Sequence, residues 1–179
     1  MSSPFDKKNI VTIGGGTGTF VVLSGLKHVP GVSLSAIVSV ADDGGSTGRL
    51  RDAYGFLPLG DARQALIALS NGDNPHLMRS LFAYRFSKGD LSGHNFGNIF
   101  LTALTDMLGS DAEAIEAASK VLRVKGRVIP VSRDPATLIA ELKDGSIITT
   151  EHEIDARAPG RSPIVNLKTA GNVAANDEA

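Results

Sequence analysis

The chain has no cysteine and no tryptophan. Without thiols, disulfide staples, thiolate metal sites and cysteine nucleophiles are all excluded. Two tyrosines and seven phenylalanines are too few for a base-stacking platform on single-stranded nucleic acid. An excess of one charge is missing too. The 18 basic and 19 acidic residues leave a formal net charge of −1, so no overall basic field calls for nucleic acid or an anionic membrane. No apolar run approaches the roughly 20 residues that span a bilayer. The opening MSSPFDKKN lacks the apolar stretch of a secretory signal. The expectation is a cytoplasmic protein with no nucleic-acid partner and no membrane insertion. What remains is a 179-residue chain, 42% hydrophobic and 21% charged, enough for one globular domain with a small appendage.

The most informative stretch is Gly14-Gly15-Gly16-Thr17-Gly18-Thr19. An apolar run, Ile10 to Ile13, enters it, and an apolar-periodic segment with Phe20, Leu23 and Leu26 leaves it. That order reads as strand, tight turn, helix. Glycines let backbone approach a ligand, and free N–H groups at a helix start favour an anion. The alternative is a turn that only packs strand against helix. Named phosphate motifs fit incompletely. A P-loop needs lysine before its Ser or Thr, and Gly18-Thr19-Phe20 has none. The dinucleotide fingerprint wants glycine where Thr19 stands.

Leu34 to Val40 reads as a second buried parallel strand, completing a βαβ unit. It leads into Ala41-Asp42-Asp43-Gly44-Gly45-Ser46-Thr47-Gly48-Arg49. Two polar, glycine-rich loops thus follow adjacent parallel strands, at the carboxyl edge where open α/β sheets bind ligands. In a loop, Asp42 and Asp43 can face one site, as Mg²⁺ ligands or as acceptors from a ribose hydroxyl. Asp42 lies about where a dinucleotide fold places its ribose-binding acid, which keeps a nicotinamide reading open. Ser46, Thr47 and Arg49 offer either a second anion nest or a helix cap before Leu50 to Tyr54.

The middle of the chain is helical. Asp61 reads as an N-cap with Gln64 three residues on. Asn74-Pro75 opens a helix through Leu77, Leu81 and Tyr84. Phe96, Phe100, Leu104 and Leu108 make an apolar stripe, and Ser110 with Glu113 forms a capping box before Ile115, Ala118, Val121 and Leu122. Gly93-His94-Asn95-Phe96-Gly97-Asn98 stands at the head of the striped helix. His94, Asn95 and Asn98 there suit a phosphate or a base edge, or else simple capping. Arg127 to Val131 reads as a strand. Thr137 to Leu142 and Ser146 to Glu151 read as a hairpin joined by a primed turn at Asp144-Gly145. The polar end, Asn172 to Ala179, reads as a disordered tail. Residues 1–132 thus form a core, 133–157 a hairpin-containing insertion, and 158–179 a tail. No Ser-His-Asp set or HExxH pattern is present. If the chain is an enzyme, it acts on phosphate by positioning and electrostatics.

GGGTGTF, SVADDGGSTGRLR, LPLGDARQALIALS and FAYRFSKGDLSGHNFGNIFLTAL occur in that order. Together they resemble the gluconeogenesis factor / 2-phospho-L-lactate transferase family, from about Asn9 through Asp155, and the resemblance fades after Arg157. GDARQALIAL and LSGHNFGNIFLTAL are most similar to the bacterial gluconeogenesis-factor branch. The resemblance implies an α/β fold, a three-layer Rossmann-like parallel sheet with a small β-rich insertion, here truncated relative to the family. It implies a nucleotide-sugar ligand of the UDP-N-acetylglucosamine type, with a role in carbon flux to cell-wall precursors and in cell shape. The transferase branch implies instead Mg²⁺-dependent transfer of a phospholactyl-type group from a guanosine diphosphate donor to a deazaflavin, in coenzyme F420 synthesis. By motif, Gly14 to Thr19 would lie beside the nucleotide diphosphate, and Asp42 and Asp43 at the acceptor or metal position. His94, Asn95 and Asn98 would lie beside the nucleotide. A sheet that stops early leaves an unpaired edge, so a homo-oligomer is expected.

Overall fold

The computed structural model describes residues 7–41, 45–72, 74–156 and 158–179. Asp42 and Asp43 lie outside the described residues. Three strands, β1 (Lys8–Ile13), β2 (Val32–Val38) and β3 (Arg127–Pro130), form a parallel sheet in the order β1-β2-β3. Ile10 pairs with Leu34, and Ala36 with Val128. The crossover from β1 to β2 is α1 (Gly16–Leu26). Five helices separate β2 from β3: α2 (Gly45–Tyr54), α3 (Gly60–Leu69), α4 (Pro75–Ala83), α5 (Phe96–Leu108) and α6 (Asp111–Val121). The expected α/β, Rossmann-like arrangement is present.

The core gathers around α3, whose Ala62, Ala65, Leu66, Ala68 and Leu69 are all buried with Leu34, Ala36 and Val38 of β2. Small alanines let this helix lie close to the sheet, and a helix apolar on every side belongs inside a fold. Val11 and Ile13 stay exposed, at 54% and 78%, on the edge strand β1.

Helix starts follow the capping residues. The side chains of Asn74, Asn95 and Ser110 accept from the N–H of Leu77, Asn98 and Glu113. Asp61 departs from expectation. The cap position of α3 is Leu59, with no side-chain bond, and Asp61 lies in the first turn with its carboxylate committed elsewhere.

A second, antiparallel sheet holds β4 (Leu138–Leu142), β5 (Ile147–Ile148) and β6 (Ile164–Thr169) in the order β5-β4-β6. Its hairpin differs from the expected primed turn. Gly145 alone is left-handed (φ +86°), Gly145 N–H donates to Leu142 O, and Leu142 N–H donates to Ser146 O. That is a three-residue loop, a type I turn closed by a left-handed glycine. The strand expected from Ser146 to Glu151 ends at Ile148. Thr150 then accepts from Glu153 N–H and starts the short helix α7 (Glu151–Asp155). The segment expected as a tail carries β6. Its final residues dock on the end of β3: Asn176 donates from its backbone to Val131 O (2.9 Å) and from Nδ2 to Pro130 O (3.0 Å). Arg127 is ion-paired with Glu178.

Asp111 ties the helical layer together. Its carboxylate accepts from Leu57 N–H (3.2 Å) and Thr105 Oγ1 (3.0 Å). Burial raises its pKa against the lowering effect of those two bonds. A carboxyl whose folded pKa exceeds its unfolded one stabilises the fold at low pH and loses that contribution as pH rises through the folded value. Urea unfolding at stepped pH is therefore expected to show Asp111→Asn gaining on the parent chain as pH rises from the ordinary carboxylate range. A stability difference constant across that range would refute it.

Candidate functional site

Two groups of side chains stand at the carboxyl edge of the parallel sheet. The first is the glycine turn. Gly14 N–H continues the β1–β2 ladder by donating to Ile37 O (3.0 Å). Gly14 and Gly16 take φ of +143° and +66°, conformations that side chains disfavour. Gly15 is required for another reason. A Cβ there would lie 1.9 Å from Asp61 Oδ2, because Asp61 reaches across from α3 to accept the Gly16 N–H through Oδ1 at 2.8 Å. Half of the motif thus serves packing. Gly18 has open space around it, and the N–H groups of Thr17 and Gly18 fall in the first helical turn, where intrahelical acceptors are lacking. These donors, with the Thr17 and Thr19 hydroxyls, are the part of the motif left to face a ligand.

The second group joins the starts of α2 and α5. Because α2 begins at Gly45, Ser46 and Thr47 sit inside its first turn, short of the helix start expected at Leu50, and their side chains turn to α5. Ser46 Oγ accepts from Asn95 N–H (3.0 Å) and lies 3.4 Å from His94 Nδ1. Thr47 Oγ1 accepts from Asn98 Nδ2 (3.0 Å), and Asn95 Oδ1 caps Asn98 N–H (3.3 Å). Ser46, Thr47, Asn95 and Asn98 are all buried. The bonds among them fix two helix starts side by side, and Asn98 Oδ1 is buried without a partner.

His94 is different. The loop from Arg85 to Asn95, closed by a bridge between its ends, delivers it to the rim. Burial holds its pKa below the usual imidazole value, and the nearby Arg49 and Arg85 guanidiniums press it further down. Arg49 donates from both terminal nitrogens to Ser92 O (3.3 Å each), and Arg85 donates to Gly93 O (2.6 Å). Gly93 makes room for Arg49, whose Nη2 would stand 2.7 Å from a Cβ at that position. Arg85, Ser92 and the turn-holding role of Asp61 were not legible, since each works through partners far along the chain or through backbone carbonyls. Among the described residues no three His, Asp or Glu side chains cluster as metal ligands. Among the described residues, Asp61 is the carboxylate that reaches the glycine turn, and it accepts a backbone N–H there.

The family model for 2-phospho-L-lactate transferase CofD matches residues 10–179. The chain belongs to that family. The match runs past Asp155 to the last residue, so the family likeness includes β6 and the docked end that the motifs alone did not reach. The chain is 48% identical over 149 residues to the gluconeogenesis factor of Bacillus subtilis (strain 168), covering 83% of this chain and 46% of that protein. It is 49% identical over 149 residues to the gluconeogenesis factor of Halalkalibacterium halodurans, covering 83% and 45%. A solved structure of a UPF0052 family member from Bacillus halodurans superposes with a TM-score of 0.86 at 42% identity, over 96% of this chain and 54% of that one. The chain thus spans about half the length of the relatives it matches. No helix among the described residues is long and apolar enough to cross a membrane.

Proposed function

We propose that the chain carries the phosphate-binding part of a gluconeogenesis factor that binds a nucleotide sugar of the UDP-N-acetylglucosamine type and regulates carbon flux to cell-wall precursors. The observation that carries this reading is the gathering of three helix starts, those of α1, α2 and α5, at one edge of the sheet, with Arg49 and His94 at the rim. The exposed N–H groups of Thr17 and Gly18 at the start of α1, with the positive ends of these helices, suit a diphosphate. The gluconeogenesis-factor relatives support the regulatory role.

A second reading, a Mg²⁺-dependent transferase using a guanosine diphosphate donor, is supported by the description of the matching family. Asp42 and Asp43 would hold the ion, which would neutralise phosphate charge. Calorimetry on the full chain separates the two. UDP-N-acetylglucosamine is expected to bind without added Mg²⁺. Heat only from a guanosine nucleotide, and only with Mg²⁺, would favour the transferase. No heat from either at millimolar ligand would end both.

A further inference from the structure

Between α3 and α4 the chain passes through Asn71-Gly72. Of the eight asparagines in the chain, Asn71 alone is followed by glycine. It is exposed, whereas Asn95 and Asn98 are buried. Its backbone N–H donates to Leu122 O (3.3 Å), which ties the end of α3 to the end of α6. Its side-chain amide and the Gly72 N–H make no hydrogen bond among the described residues. A Cβ built on Gly72 would meet nothing within 4 Å, and its φ is not left-handed.

An unbonded carboxamide one residue before an unbonded, unhindered N–H can close a five-membered imide. Glycine matters twice there: it has no Cβ to crowd the attacking nitrogen, and its backbone turns easily into the ring. The other asparagines are held out of this chemistry. Pro75 gives Asn74 no N–H to attack it. Ile10, Phe96, Ile99, Leu167 and Val173 crowd the asparagines before them, and Asn176 is buried with its amide bonded to Pro130 O.

We infer that Asn71 is a site of spontaneous deamidation, converting to aspartate and isoaspartate in the folded chain. The Gly72 nitrogen gives up its proton and attacks Asn71 Cγ. A C–N bond forms, the bond from Cγ to the side-chain nitrogen breaks, and ammonia leaves with the proton. Water then opens the imide at either carbonyl, leaving a carboxylate at position 71. The surroundings suit that product. Lys27 Nζ donates to Ser70 O (2.8 Å), the carbonyl just before Asn71, and Lys27 and Lys125 line one concavity. Burial, and then the charges of Lys125 and Arg79, press the Lys27 pKa below the usual lysine value. A carboxylate beside these cations offsets their repulsion. The isoaspartate form also lengthens the main chain between the Leu122 tie and Asn74, the cap of α4.

The test is incubation of the full chain at mildly alkaline pH, read by peptide mass spectrometry and isoaspartyl methyltransferase labelling. The peptide of residues 64–79 is expected to show the exchange of one amide for an acid and to accept the methyl label, with Asn95 and Asn98 unchanged. Gly72→Ala, which has room, is expected to slow conversion about tenfold by crowding the attacking nitrogen. A synthetic 64–79 peptide gives the unprotected rate. The folded chain is expected to keep within about tenfold of it, as a site that needs no local opening does. A folded chain that stays amidated while the peptide converts would overturn the inference. So would a Gly72→Ala rate equal to the parent's, or no conversion in chain and peptide alike.

Discussion

Phe82→Ala is expected to cost about 3–5 kcal/mol of stability, the usual range for a fully buried phenylalanine. Phe82 lies in the last turn of α4 with 1% of its surface exposed. Its ring meets those of Phe96 (5.7 Å) and Phe100 (5.2 Å) edge-on, an arrangement aromatic quadrupoles favour. Gly97 in the first turn of α5 presses against it: a Cβ there would lie 2.8 Å from Phe82 Cδ1 and 2.9 Å from Phe82 O. The ring is thus the floor under the helix start that holds Asn95 and Asn98. For a chain of this size the loss lowers Tm by roughly 2–4 °C per kcal/mol. Thermal melts check the first part. Amide shifts at His94, Asn95 and Asn98 check the second, and a Tm within two degrees of the parent would show that the floor is not needed.

Asp61→Ala and Gly15→Ala are each expected to cost about 2 kcal/mol, and together little more than either alone. Removing the carboxylate strips the Gly16 N–H of a charge-assisted acceptor, worth roughly 1.5–3 kcal/mol. Adding a methyl group at Gly15 drives the same carboxylate away, since Cβ and Oδ2 cannot share 1.9 Å. Two substitutions that destroy one contact are not additive. Denaturant unfolding of both singles and the double mutant gives the coupling. Additive losses would mean that Gly15 is needed for its backbone alone. The same variants bear on binding, because releasing the turn frees α1 from α3 at the point where a phosphate would sit.

Local signals in the sequence were sufficient where structure is local. Asn74 and Ser110 cap the helices their spacing indicates, and the β1–α1–β2 unit follows its apolar runs. Strand β6 escaped notice for a physical reason: all six of its residues are exposed, so no alternation of burial marks it, and only its pairing with β4 makes it a strand. The hairpin turn was misjudged because Asp-Gly serves two turn types, and Asp144 here spends its carboxylate on Ser146 N–H and Oγ. At the site, sequence placed Ser46, Thr47, Asn95 and Asn98 in one neighbourhood. Residue type alone cannot tell an amide that waits for a ligand from one that binds a threonine 51 positions away. All four are buried and hold two helix starts together, while Arg49 and His94 stand at the rim.

The place of β3 in the sheet has a kinetic consequence. β1 and β2 are joined by one helix, so their pairing closes a short loop. β3 pairs with β2 across five intervening helices, and loop closure grows costlier with length, by about 0.6 kcal/mol per doubling. Contacts of high sequence separation slow folding. The glycine turn therefore belongs to the part of the chain that can assemble first. The end of the sheet held by Pro130, Val131 and Asn176 waits until the helices are in place.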